Sequence, residues 1–324
     1  MHKKIAHTLD TQFKQEVYEG LCAYPKFLSS KYIYDKAGDA LFQDIMNMPE
    51  YYLTDTEHGI LETYKEQLAI HFSNDKKPFH LIEMGAGDGK KTKILLRHFT
   101  DKKLDFTYRP IDISQNALDS LQADLKKEIR ELDVAPLQGT YFETLKKLSL
   151  ASEERKVILF LGSNIGNLLH DQAIEFLSQI KEYMQPNDLL FIGFDQKKNP
   201  QTILDAYNDA TGITAKFNKN LLVRINRELE ADFDTDSFIH WEVYDPESGT
   251  AKSYLVAQSP QEVRINKLDL DITFDAWETI HTEISQKYDD KTVHWLAEQS
   301  GLKVLEEFSD QQHYYKNYLF TKSI

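Results

Sequence analysis

Three short apolar runs constrain this chain most: FHLIEM at 79–84, VILFLG at 157–162 and LLFIGFD at 189–195, with FTYRPIDIS at 106–114 reading as a further strand among them. Runs of this kind, apolar on successive residues, are strands buried on both faces. Between them KKTKILLRHF, NALDSLQADLKKEIREL and a segment near Gln172 to Met184 carry helical spacing. Strands that alternate with helices build a parallel sheet with helices on either side. The tail returns to the same rhythm, with TVHWLAEQSG as a helix ending at Gly301 and LKVLEEF and YYKNYLFTK as strands. That tail is long enough to complete the sheet begun at residue 79, so the expected fold class is α/β and Rossmann-like.

After Lys197 the rhythm changes. PQTILDAYNDATG and ITAKFNKNLLVRINREL read as helices, and IHWEVYD and AKSYLVAQ flank Pro246-Glu247-Ser248-Gly249 as a hairpin. QEVRI and the segment around Glu283 to Tyr288 read as extended. The first sixty residues are aromatic and irregular. Thr54 precedes Glu57 by three positions, the pattern of a helix capping box, and Leu61, Tyr64, Leu68 and Phe72 follow at helical spacing. A length of 324 residues suits two domains. The expected division is 61–197 with 287–324 for the sheet domain, and 1–60 with 198–286 for a second, α+β domain.

Composition narrows the function. Asp and Glu outnumber Lys and Arg by 52 to 38, giving a net charge of −14. A nucleic-acid binder normally carries a basic stripe against the phosphates, and none stands out, which disfavours that class. The one cysteine, Cys22, permits no intramolecular disulfide and no zinc site of several cysteines; it is expected to be a packing residue. The histidines are scattered without ligand spacing, so no metal is expected. Met1 to Lys14 lacks the apolar run of a signal peptide and no long apolar stretch follows. The expected setting is cytoplasmic, away from membranes; nothing in the chain demands a dimer, so a monomer is expected.

The sharpest local motif is LIEMGAGDGKKT. Gly85, Gly87 and Gly89 lie between a strand and a helix, directly after Glu83. Glycines there allow a tight turn and close approach of a ligand to backbone near a helix N-terminus. The spacing is GxGxG with an acid two residues before it, which favours S-adenosylmethionine (SAM) over NAD. Asp112, at the end of the second strand, is placed to accept from ribose hydroxyls.

Beyond that loop, YPKFLSSKYIYDKAGDALFQDIMNMPEYYLTDTE, RPIDIS, FLGSNIGNL, AYNDATGITAKFNKN, INRELEADFD, VRINKLDLDITF and EISQKY together resemble the histidine-specific Nα-methyltransferase family. The resemblance runs from about residue 12 to the end. It implies a class I SAM methyltransferase sheet with an antiparallel C-terminal strand, joined to an α+β substrate-binding domain. It also implies transfer of methyl groups to the α-amino nitrogen of free L-histidine, giving trimethylhistidine (hercynine), the precursor of ergothioneine. A fungal relative in that family acts on a prenylated tryptophan, so another aromatic amino acid is the alternative substrate. A SAM- or NAD-binding protein without catalysis is the alternative of another class.

Carried over residue by residue, the resemblance puts Glu83, Gly85, Gly87, Gly89 and Lys91 in the cofactor loop, with Lys91 ordering the loop or reaching the methionine carboxylate. Asp112 would hold the ribose. At the adenine position the family reads Gly-Asp-Phe, whereas this chain has Gly139-Thr140-Tyr141, so the usual acid is replaced by Thr140 beside Tyr141. Gly162 would bring a carbonyl near the reacting methyl. Asn167 and Tyr207 would grip the amino acid's α-amino and carboxylate groups, Tyr51 would wall the pocket and Tyr34 would line its entrance. Glu283 and Ser285 would bind imidazole. Two residues apart on an extended segment point to one side, and a carboxylate and a hydroxyl match imidazole's two nitrogens. Ser253 departs from the methionine of the actinobacterial relatives. Taken singly, Tyr51 reads as core, Asn167 as a helix cap and Glu283 as a surface carboxylate; the shared register assigns them together.

Overall fold

The computed structural model describes residues 9–73 and 77–323. In chain order these form α1 (Gln12–Cys22), β1 (Lys26–Phe27), α2 (Lys36–Met46), α3 (Leu53–Phe72), β2 (Phe79–Met84), α4 (Lys93–Asp101), β3 (Phe106–Asp112), α5 (Gln115–Glu128), β4 (Leu137–Gln138), α6 (Tyr141–Ala151), β5 (Arg155–Phe160), α7 (His170–Glu182) and β6 (Leu189–Asp195). There follow α8 (Pro200–Tyr207), α9 (Ile213–Leu229), β7 (Phe238–Asp245), β8 (Thr250–Ala257), β9 (Gln261–Ile265), β10 (Leu270–Phe274), β11 (Thr279–Gln286), α10 (Asp290–Ser300), β12 (Leu302–Ser309) and β13 (Tyr315–Lys322).

The chain divides into two compact units, Met1–Tyr52 with Lys198–Ser285 and Leu53–Lys197 with Gln286–Ile324. The second unit holds a seven-stranded sheet in the order β12-β13-β6-β5-β2-β3-β4. Strands β6, β5, β2, β3 and β4 run parallel, while β13 is antiparallel to both β6 and β12. This is the expected class I sheet with its antiparallel C-terminal strand.

Alternation along the strands divides the core of this unit. Ile82, Met84, Ile158, Phe160, Leu190, Ile192, Phe194, Tyr318 and Phe320 share one cluster with Leu145 of α6, Leu177 of α7 and Leu296 of α10. The intervening residues turn to the other face, where rings interlock edge to face: Phe72 of α3 meets Phe99 and Phe191 at 5.9 Å each, and Phe191 meets Phe308 at 5.8 Å. Strands β2, β5 and β6 are buried along their whole length between the two faces, which is why their sequences are apolar without alternation.

The α+β unit contains a four-stranded sheet, β1-β11-β8-β7, and a separate antiparallel pair, β9 with β10. Its core joins Phe217, Leu221 and Ile225 of α9 to Val17 of α1, Ile45 of α2, Phe238, Leu255 and Ile280.

Three local readings are corrected by packing. Helix α3 begins at Leu53, not after Thr54, and Glu57 is no cap: it is fully buried, with its carboxylate accepting from Lys91, Gly162 and Asn317. The expected boundary at residue 60 falls inside that helix, whereas the division falls at Tyr52, because Glu57, Leu61 and Leu68 are all buried in the sheet unit. Cys22 is exposed at the end of α1 rather than packed.

Glu57 also explains a glycine inside the apolar strand β6. Gly193 lies across from Asn317 in the β6–β13 register. A Cβ at Gly193 would sit 2.2 Å from Glu57 Oε1 and 2.2 Å from the Tyr315 hydroxyl. Gly193→Ala is therefore expected to destabilise the fold by about 1–3 kcal/mol, the range for overpacking a close-packed core. Thermal and denaturant unfolding check this; an unchanged midpoint would mean that Glu57 and Tyr315 move aside freely.

Candidate functional site

The carboxyl ends of β2, β3 and β5 present the cofactor-motif residues, as parallel sheets do generally. After Met84 the chain turns through Gly85 and Gly87, with φ of +74° and +54°, a region that side chains rarely adopt. At Gly85 a Cβ would meet the Tyr141 hydroxyl at 2.7 Å, while at Gly87 nothing lies within 4 Å. Tyr141 thus closes over the start of the loop, and Gly87 faces open space. Gly89 ends the turn, its N–H donating to the Ala86 carbonyl at 2.9 Å.

Glu83 turns inward beneath this loop. Thr92 donates to its Oε1 at 2.5 Å and Tyr108 donates to its Oε2, so both oxygens are held by protein hydroxyls. Burial pushes its carboxyl up to about 7 while the two hydroxyls pull the other way. Asp112, at the end of the neighbouring strand, is half-exposed. Its Oδ1 accepts from Ser114 N–H at 2.8 Å. Gly139 N–H donates to the Asp112 carbonyl at 3.0 Å, which seats Gly139-Thr140-Tyr141 beside it. Thr140 is exposed, and its hydroxyl donates to Glu143 at 2.8 Å. The Tyr141 hydroxyl is pushed up to about 12, by burial first and then by the charges of Asp112 and Glu83. It stays a hydrogen-bond donor at any physiological pH.

Lys91 reaches across to Glu57, Nζ to Oε2 at 2.5 Å. The same Oε2 accepts the Gly162 N–H at 2.8 Å, and Nζ would lie 3.3 Å from a Cβ at Gly162. Gly162 and Ser163 have φ of +78° and +56°, which swings the FLGSNIGN segment out of β5 into the 3-10 turn Asn164–Asn167. Asn167 ends that turn with its side chain exposed. An open glycine loop, a strand-end carboxylate and an ammonium in one edge fit a ligand carrying ribose hydroxyls and an amino-acid carboxylate, which SAM does.

In the α+β unit, rings run edge to face from Phe217 through Tyr34, Phe42 and Tyr51 to Tyr207. The centroid distances are 5.4 Å, 5.6 Å, 6.3 Å and 6.3 Å in that order. Tyr207, at the end of α8, shares a 2.8 Å hydrogen bond with Ser285 of β11. The Tyr34 ring keeps 39% of its surface exposed, yet its hydroxyl end is crowded. Burial, then the charge of Glu283, then Tyr51 and Tyr207 push that hydroxyl well above its usual range. Tyr34, Tyr51, Tyr207, Glu283 and Ser285 are therefore one cluster.

The cluster is held from behind. Asp35 accepts from the N–H groups of Ala37 and Gly38 and from Asn220 Nδ2, at 3.0, 2.8 and 2.9 Å, which fixes the chain next to Tyr34. Burial opposes its ionisation, but the Gly38 N–H, Arg227 and Asn220 hold its carboxyl at about 2. Thr282 donates to Asn218 Oδ1 at 2.6 Å, tying β11 to α9. Ser253 is buried and donates to Glu242 at 2.5 Å.

The sheet unit thus brings together Glu83, Gly85, Gly87, Gly89, Lys91, Asp112, Tyr141 and Gly162, and the α+β unit brings together the tyrosines with Glu283 and Ser285. Thr140 turns its hydroxyl to Glu143, and Asn167 belongs to the sheet unit. Sequence reasoning missed Glu57, Tyr315 and Asn317. Two signals pointed to them: a glycine in an otherwise apolar β6 and an asparagine inside YYKNYLF.

The family described as histidine-specific, SAM-dependent methyltransferases matches residues 13–322. Histidine N-alpha-methyltransferase of Mycolicibacterium smegmatis is 36% identical over 297 residues, covering 92% of this chain and 91% of that one. The protein of the same name from Mycobacterium tuberculosis is 34% identical over 298 residues, 92% of this chain and 91% of that one. Ergothioneine biosynthesis protein 1 of Schizosaccharomyces pombe is 30% identical over 301 residues, 91% of this chain and 39% of that one. A match of this extent, on a sheet whose carboxyl edge already carries a SAM-suited loop, means that the chain belongs to the histidine-specific, SAM-dependent methyltransferase family.

Proposed function

We propose that this enzyme methylates the α-amino nitrogen of free L-histidine, three times in succession, to give trimethylhistidine. The observation that carries the reading is the pairing of Glu283 and Ser285 inside a cluster of tyrosines, where Ser285 already shares a hydrogen bond with Tyr207 at 2.8 Å. A carboxylate accepts from one imidazole N–H and a hydroxyl donates to or accepts from the other nitrogen. An indole would leave one of those groups unpaired, which is how a polar site rejects an isostere. The names of the two mycobacterial relatives support histidine, and that of the fission-yeast relative supports ergothioneine biosynthesis as the route that uses the product.

SAM, when bound, supplies an electrophilic methyl group on its sulfonium. The chain's own task is to hold a neutral amine in line with that methyl, which is chiefly orientation. On this reading Gly85, Gly87 and Gly89 let the cofactor approach the backbone, while Glu83 holds the loop through Thr92. Asp112 accepts from the ribose hydroxyls, and Thr140 and Tyr141 border the adenine. Asn167 and Tyr207 grip the amino acid's α-amino and carboxylate groups, with the Gly162 carbonyl near the reacting centre. Tyr51 or water carries away the ammonium proton before each transfer. Rings such as Tyr51 and Tyr34 suit a product that grows into a quaternary ammonium, because aromatic faces attract cations.

Incubation with SAM and the twenty amino acids, read by mass spectrometry, is expected to show histidine carrying three added methyl groups. Methylated tryptophan without methylated histidine would sink the substrate assignment. Glu283→Ala is expected to raise KM for histidine about tenfold or more, since a hydrogen bond to a charged group contributes roughly 1.5–3 kcal/mol, and to leave SAM binding unchanged. Asn167→Ala is expected to lower kcat sharply, and near-normal turnover excludes its assigned role.

The pH dependence has a defined sign. Tyr34 is pushed well above its usual range, so its hydroxyl is neutral across the range of an assay. A rise of kcat/KM with pH is then expected from loss of the substrate ammonium proton, which the reaction requires. Tyr34→Phe is expected to leave the midpoint of that rise in place while weakening histidine binding. A displaced midpoint would show that Tyr34 itself titrates.

A further inference from the structure

We propose that Glu57 is the positioning residue of the cofactor site: it holds the Lys91 ammonium where it receives the methionine carboxylate of SAM. This rests on the assignment of Lys91 to the cofactor loop and extends it to a residue on a different element.

A fully buried carboxylate needs donors on both oxygens. Glu57, one turn into α3, finds them on three separate stretches of chain. Lys91 Nζ and Gly162 N–H donate to Oε2 at 2.5 and 2.8 Å, and Asn317 Nδ2 donates to Oε1 at 2.9 Å. Tyr315 stands beside it, its hydroxyl pushed far up by burial and then by the Glu57 charge. Strand β6 yields space at Gly193, where a Cβ would strike Oε1. One carboxylate therefore registers the glycine loop after β2, the turn after β5 and the start of β13.

The consequence for Lys91 is orientation. A lysine carries about 2 kcal/mol of rotamer entropy, and its ammonium has three donors on a flexible stem. Glu57 takes one donor and holds the head beside Gly162, and the side chain retains 21% of its surface for approach from outside. Gln in place of Glu57 keeps the shape but loses the charge. Turned toward Oε2, its amide N–H₂ would cost both the Lys91 and the Gly162 hydrogen bonds; turned toward Oε1, it is met by rotation of the Asn317 amide, and what is lost is the charge facing Lys91.

The test compares two ligands that share adenosine and differ in the amino-acid portion: S-adenosylhomocysteine, which has the carboxylate, and 5′-methylthioadenosine, which lacks it. Calorimetric titration of Glu57→Gln is expected to weaken S-adenosylhomocysteine about tenfold, the effect of removing one charge-assisted hydrogen bond, with 5′-methylthioadenosine within about twofold by the same measure. Lys91→Met is expected to give the same selective weakening, and the double variant no more than either alone, as coupled residues do. Equal weakening of both ligands would make Glu57 merely structural. Unchanged or tightened S-adenosylhomocysteine binding in Glu57→Gln, with the weakening in Lys91→Met intact, overturns the proposal while leaving the Lys91 assignment. No weakening in Lys91→Met overturns both. Should Glu57→Gln not fold, Glu57→Asp keeps the charge on a shorter arm and must show the same selectivity. None of these outcomes depends on which amine is methylated.

Discussion

Burying a carboxylate without its charge satisfied is among the most costly things a fold can do. Glu57 is buried completely, and the carboxyl edge of the sheet is arranged around it. The glycine in β6 makes room, the asparagine and tyrosine of β13 face it, the turn after β5 donates its backbone N–H, and the lysine of the glycine loop completes its shell. A hydrogen-bonded hub of this kind fixes positions better than apolar packing does, because each partner has one distance and one direction that satisfy it. A second buried carboxylate, Glu83, does similar work one strand away, tying the loop to Thr92 and Tyr108.

The two buried acids of this carboxyl edge are satisfied in different ways. Glu83 is held by two uncharged hydroxyls, so burial raises its carboxyl to about 7. Glu57 faces an ammonium and two N–H donors. What the edge shows outward is a different set: the open turn at Gly87, the Asp112 carboxylate and the exposed side of Lys91. Accessible and buried polar groups of this edge are thus separated by depth.

The tyrosine cluster of the α+β unit follows a different logic. Its rings stand edge to face at 5.4–6.3 Å, each limiting the orientation of the next. Burial first, and then the charge of Glu283, raise the Tyr34 hydroxyl well above its usual range, and Ser285 shares a hydrogen bond with Tyr207.

Much of this was legible in the chain. The apolar runs of β2, β5 and β6 are sandwiched strands in the structure because a strand buried on both faces has no polar side to show. The strand-glycine-helix motif was readable because positive φ at Gly85 and Gly87 leaves few other residues possible there. Local pattern alone misread Glu57, whose spacing from Thr54 mimics a helix cap, and set the unit boundary inside α3 rather than before it. The reason is physical: a capping box is satisfied within one helical turn, whereas the partners of Glu57 are 34, 105 and 260 residues away along the chain. Sequence determined which segments become strands and helices and where backbone can turn. Only tertiary structure decided which carboxylate lies at the centre of the edge, because that depends on donors that no local pattern brings together.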